Sequence, residues 1–154
     1  MAEYDAPLSD MRFALEDLAG FDEVAALPGF DHVDHDAVLS ILEENARFME
    51  DKVAPLNRIG DLQGSVRNDD GTVTTPDGFV EAYREYVEAG WGGVALPEEY
   101  GGGGFPWLVG VAMQEILTSA NMSFSMCPLL NQGAIDMLLH HASEEMKIFV
   151  PVIR

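Results

Sequence analysis

The chain has 154 residues, 47% of them hydrophobic, with 27 acidic against eight basic residues and a formal net charge of −19. That length suits one domain with a sizeable core, and the apolar content excludes disorder in spite of the charge. So few cations exclude nucleic acid and an anionic membrane surface as partners, because phosphate contacts need positive charge.

The charge is unevenly spread. Residues 1–104 hold 23 acids and six bases, whereas 105–154 hold four and two. The first part is expected to face water, and the second to be buried or to meet a partner. One cysteine, Cys127, rules out an internal disulfide and fits a reducing compartment, with the cytoplasm as the expected location. The longest apolar tract, Met122 to Leu139, is interrupted by Pro128, Asn131, Gln132 and Asp136, so neither a membrane span nor a signal peptide is expected.

In chain order, Ser9 or Asp10 can cap a first helix with Met11, Ala14, Leu15 and Leu18 on one face and Gly20 as its stop. A short turn, Asp22 to Leu27, runs to Pro28-Gly29. His32 and His35 lie among Asp31, Asp34 and Asp36, but in a loop and cap rather than at helix spacing toward one ion, so no metal site is expected. From Asp36 to about Val53, Val38, Ile41, Leu42, Asn45, Phe48 and Met49 trace one helical stripe. Glu43 and Glu44 are adjacent helix positions that do not face each other, and read as solvated charge. Pro55 ends or kinks that helix. A connector follows, with a small hairpin turning at Asp70-Gly71. Thr75 and Pro76 suit the N-cap and N1 positions of a helix through Phe79, Tyr83 and Tyr86, stopped by Gly90.

Gly90 to Trp107, GWGGVALPEEYGGGGFPW, is the hinge between the acidic and apolar parts. Its glycines and prolines forbid a regular helix or central strand, while Trp91, Val94, Leu96, Tyr100, Phe105 and Trp107 are too large and apolar for solvent, so an ordered, packed loop is expected. The GGGG run lacks the Lys-Ser/Thr pair of a phosphate-binding loop and is not GxGxxG, which argues against nucleotide binding. Beyond it, Pro106 suits an N1 position for a helix that is apolar almost all round and therefore central. After a break at Ser119 to Asn121, a further helix is secure from Pro128 to His141, with His140 and His141 at its dipole's negative end. Ser143 caps a last helix that Pro151 ends. Cys127 has no cationic neighbour in sequence and is expected to be buried packing. No GxSxG or HExxH occurs. The expected fold is all-α, an up-and-down helical bundle of about five or six helices.

The block GWGGVALPEEYGGGG, followed by a helix that ends at Ala120-Asn121, resembles the N-terminal helical domain of the acyl-CoA dehydrogenases. The opening YDAPLSDMRFALEDL is similar to the N-terminal extension of the 3-methylmercaptopropionyl-CoA dehydrogenase-like branch. The resemblance implies an extension over 1–35 and the helical domain over 36–154. It also implies that FAD takes a hydride from the β-carbon of an acyl-CoA while a glutamate of the C-terminal domain removes the α-proton. Flavin and base belong to the middle β-domain and the C-terminal domain, absent here and expected as partners. No catalytic, cofactor-binding or metal-binding residue is therefore assigned, and the chain alone is expected to hold no FAD and to be inactive. By the same resemblance Ser125, Met126, Leu129 and Leu130 line the acyl tail of the acyl-CoA substrate, a face that composition alone reads equally well as core. Related oxidases and monooxygenases share this fold, so the electron acceptor is left open. So is self-association into a homo-oligomer. The alternative is a stand-alone, non-enzymatic helical module whose apolar half binds a partner subunit.

Overall fold

The computed structural model describes residues 4–153, so Met1 to Glu3 of the expected extension and Arg154 lie outside the described residues. The fold is all-α apart from one two-stranded hairpin. The helices are α1 (Leu8–Phe13), α2 (Phe21–Ala25), α3 (His35–Phe48), α4 (Ala54–Gln63), α5 (Phe79–Glu88), α6 (Trp107–Ala120), α7 (Met122–His141), α8 (Glu144–Lys147) and α9 (Val150–Ile153). The hairpin pairs β1 (Val66–Arg67) with β2 (Val73–Thr74), antiparallel, around the expected turn.

Several boundaries differ from expectation for identifiable reasons. Pro55 does not end the helix. The chain widens into a π-type turn over Met49–Val53, in which the Ala54 amide donates to the Met49 carbonyl five residues back. The extra residue carries the backbone past a proline that has no N–H to give, and α4 continues through what was read as connector. A second π-type turn, Ala14–Leu18, follows α1 directly, and it turns Leu18 out to 72% exposure where a 3.6-residue period placed it inward. Neither Ser9 nor Asp10 caps α1, which starts after Pro7. Asp22 to Leu27 is largely helix, as α2. α5 begins after Gly78 rather than at Thr75-Pro76, and Pro106 precedes α6 as its cap residue. Pro151 lies inside α9.

The core is built from α3 and the π turn after it (Val38, Leu42, Ala46, Met49, Val53) packed on α6 (Val109, Met113, Ile116, Leu117). The N-terminal segment joins this core. Met11, Leu15 and Phe21 are part of it, the Tyr4 hydroxyl donates to the Ile116 carbonyl at 3.0 Å, and the Ala6 amide donates to Glu50 at 2.8 Å.

The hinge is the packed loop its sequence predicts, although Trp107 is 56% exposed. Its second limb folds back on its first: amides of Gly103, Gly104 and Phe105 donate to the carbonyls of Gly93, Leu96 and Val94 at 2.9 to 3.1 Å. Glycine is required at 102, where a β-carbon would overlap the Leu96 carbonyl. Gly101 and Gly102 also donate within the loop, to Glu98 and Pro97. The amides a phosphate would need are therefore already engaged.

α6 and α7 are joined through one residue, Asn121, 1% exposed and extended in backbone (φ −160°, ψ 99°). Its Oδ1 accepts from the Phe124 amide at 3.1 Å and the Ser123 hydroxyl at 2.8 Å, and its Nδ2 donates to the Val53 carbonyl at 3.3 Å. α7 thus starts at Met122, not Pro128, and Pro128 is carried inside it.

Asn121→Ala removes a helix cap and a buried hydrogen bond to the Val53 carbonyl, so urea denaturation should register a loss of roughly 2 kcal/mol. Leu117→Asp, at a position 1% exposed, should abolish the cooperative transition, whereas Glu44→Ala, a surface partner of Arg47 at 3.0 Å, should move stability by less than about 0.5 kcal/mol.

Candidate functional site

α7 carries 20 residues of which Asp136 is the single carboxylate, and none is Lys or Arg. Its inner face, Phe124, Ser125, Pro128 and Ile135, is buried. Its outer face is also apolar: Met126 is 45% exposed, Leu129 42% and Leu130 65%, with Met122 and Met137 continuing the stripe. Positions 122, 126, 129, 130, 133 and 137 recur at helical spacing, so this is one continuous face. Beside it a groove of about 370 Å³ opens between α7 and α6, walled by Trp107, Val111, Thr118, Leu129 and Gln132.

The structure brings Met126, Leu129 and Leu130 onto this outer face. Ser125 stands behind it, fully buried, its hydroxyl donating to the Met122 carbonyl at 2.8 Å in the helix's first turn. Cys127 is exposed, contrary to expectation, on the side of α7 that meets Tyr83 of α5. Its thiol donates to the Tyr83 hydroxyl at 3.5 Å, which also accepts from the Asn131 amide at 3.2 Å. A cleft of about 290 Å³ lies there, between α5, the hinge, α7 and α9. Burial, and then the Cys127 contact, push the Tyr83 phenol up to about 12, and burial pushes Tyr86 up further, so both remain neutral near pH 7. Neither offers a base.

The two sequence-flagged histidines are apart in role. His32 Nε2 lies 3.2 Å from the Gly103 carbonyl and edge-on to Phe105. His35, at the start of α3 beside the Asp34 cap, faces Asp22 with Nε2 at 2.6 Å and Glu16 with Nδ1 at 3.1 Å. It ties the segment of Glu16 and Asp22 to α3. Among the described residues no group of three or more His, Cys, Asp or Glu is arranged to hold a metal ion. No described helix is long and apolar enough to cross a membrane.

The chain is thus an all-α domain with a buried polar corner at Asn121 and one apolar helix face turned outward. Residues 36–150 match the profile described as "Acyl-CoA dehydrogenase, N-terminal domain", and the chain belongs to that family. It is similar to 3-methylmercaptopropionyl-CoA dehydrogenase of Ruegeria pomeroyi, with 42% identity over 146 residues covering 95% of this chain and 25% of that protein. It is also similar to a broad-specificity linear acyl-CoA dehydrogenase of Mycobacterium tuberculosis, at 30% identity over 96% of this chain and 24% of that protein. A butyryl-CoA dehydrogenase of Syntrophomonas wolfei is 27% identical, over 91% of this chain and 23% of that protein. The chain spans about a quarter of the length of these relatives.

The His35 pair makes a pH prediction. Only the imidazolium can donate from both ring nitrogens, and Asp22 first, then Glu16, hold His35 above the ordinary histidine value of about 6.5. The Arg12 hydrogen bond first, with His35 adding to it, holds Glu16 below the ordinary carboxylate range. The His35 contribution is therefore complete below about pH 6.5 and is lost as pH rises through the raised value, while the Glu16 contribution is lost only in acid. NMR titration should find His35 titrating above the ordinary value, and Asp22→Asn should lower it. An unchanged midpoint in that variant would remove the pairing.

Proposed function

We propose that this chain is the N-terminal domain of a flavin-dependent acyl-CoA dehydrogenase that desaturates acyl-CoA thioesters between the α and β carbons, with residues 1–35 as an extension and 36–154 as the helical domain. Within that enzyme α7 supplies part of the acyl-pocket wall through Met126, Leu129 and Leu130, with Ser125 backing it. The observation that carries this reading is the outward apolar face of α7, in a chain of this family. A neutral face suits a neutral acyl tail, whereas a domain with a net charge of −19 suits the phosphates of CoA poorly. The single cysteine remains consistent with a cytoplasmic setting.

FAD, held by the rest of such a polypeptide, supplies the hydride acceptor. This chain's own residues do not fit its diphosphate. None of those lining the grooves at α6–α7, at α5–α7 or beside the hinge is Lys or Arg, and the loop amides bond one another. The chain's contribution is to exclude water from the acyl tail and to position it.

In a complete enzyme containing this domain, Met126→Trp and Leu129→Trp should lower kcat/KM for longer acyl-CoA substrates about tenfold or more relative to short ones, the scale of losing or blocking methylene sites in an apolar pocket. An unchanged chain-length profile in both variants would remove α7 from the wall. The 154-residue chain alone should purify colourless, and stoichiometric flavin absorbance would contradict this division of labour.

A further inference from the structure

Among the described residues, two buried side-chain atoms, Asn45 Oδ1 and Trp91 Nε1, have no hydrogen-bond partner. They come from distant segments, α3 and the turn that opens the hinge, and each is the other's chemical complement: the amide oxygen only accepts, the indole N–H only donates. The two residues line one small void, together with Met49, Val94, Met113 and Gln114. It leaves about 10 Å³ for the centre of an occupant, which is what one water molecule requires.

We propose that this void is a binding site for one structural water, which accepts from the Trp91 indole and donates to Asn45. The site excludes the alternatives on chemistry. An ion of either sign would meet one atom of the wrong polarity, a larger ligand has no room, and an empty void would leave a donor and an acceptor desolvated and unpaired in a core where Asn45 is 1% exposed. Gln114 and Gln132 add polar groups at the wall, so the water's remaining hydrogen-bond capacity can be met. Tyr86 and Gln132 also line the 290 Å³ cleft described above, so the void and the cleft are neighbours. The bridge fastens the start of the glycine-rich hinge to α3, a link that no direct side-chain bond from Trp91 provides.

Two measurements on the 154-residue protein decide this. In water-selective NMR the Trp91 indole proton should show a dipolar cross-peak to a long-lived water, and the peak should disappear in Asn45→Leu. The half-exposed Trp107 indole, contacting bulk water, serves as the comparison. Absence of the Trp91 cross-peak in the unsubstituted protein overturns the proposal whether or not the variant folds. In chemical denaturation, Asn45→Leu should lower the midpoint markedly on its own and far less in a Trp91→Phe background, because removing both complementary groups leaves nothing unpaired. Equal shifts in the two backgrounds would mean that the atoms share no water, and would also overturn the proposal.

Discussion

The buried amide of Asn121 is the constraint on which the rest of the structure depends. Its side chain caps α7, and by donating to the Val53 carbonyl it fixes that cap to the π-type turn between α3 and α4. α6 and α7 are both apolar around most of their circumference, so hydrophobicity alone does not select which side of α7 faces inward. A polar corner with a single way of pairing does select it. Rotating α7 would leave the Phe124 amide and the Val53 carbonyl without these partners, so the stripe of Met126, Leu129 and Leu130 is held outward by hydrogen bonds made at the helix's other face.

The π-type turn is the second half of the same device. Pro55 prevents a regular helix from running through, and the widened turn that accommodates it lies where Asn121 docks. Chain segments 68 residues apart are thus joined where each departs from regular geometry. The acidic N-terminal segment adds a second tie through Tyr4, Ala6 and His35, so residues outside the family-matched span share the core.

The α3 stripe, the hairpin at Asp70-Gly71, the helix stop at Gly90 and the packed hinge were legible because each rests on local chemistry: period, turn residues or glycine. α4 and the start of α7 were not, because both turned on proline read by its usual habit. Pro55 suggested an end or a kink with a connector beyond it, and Pro128 a start, while a π-type turn and an Asn cap seven residues upstream of Pro128 overrode them. Cys127 was expected inside because a free cysteine is commonly interior, a rule of residue type that carries no information on which face of α7 it falls. Among the candidate wall residues, the resemblance marked the helix, but only the folded register separates outward-facing Met126, Leu129 and Leu130 from buried Ser125. The complementarity of Asn45 and Trp91 had no signal in the sequence, since it arises from two segments meeting across a void.

The account's central claim is that the outer face of α7 is covered in the working enzyme. Methionine oxidation footprinting reads this directly, because Met126 and Met137 lie on that face while Met49 and Met113 are buried in the core and serve as internal references. The account predicts that Met126 and Met137 oxidise readily in the 154-residue chain and become strongly protected in a complete acyl-CoA dehydrogenase polypeptide that contains it, with Met49 and Met113 slow in both. Equal oxidation of Met126 and Met137 in the two would contradict it.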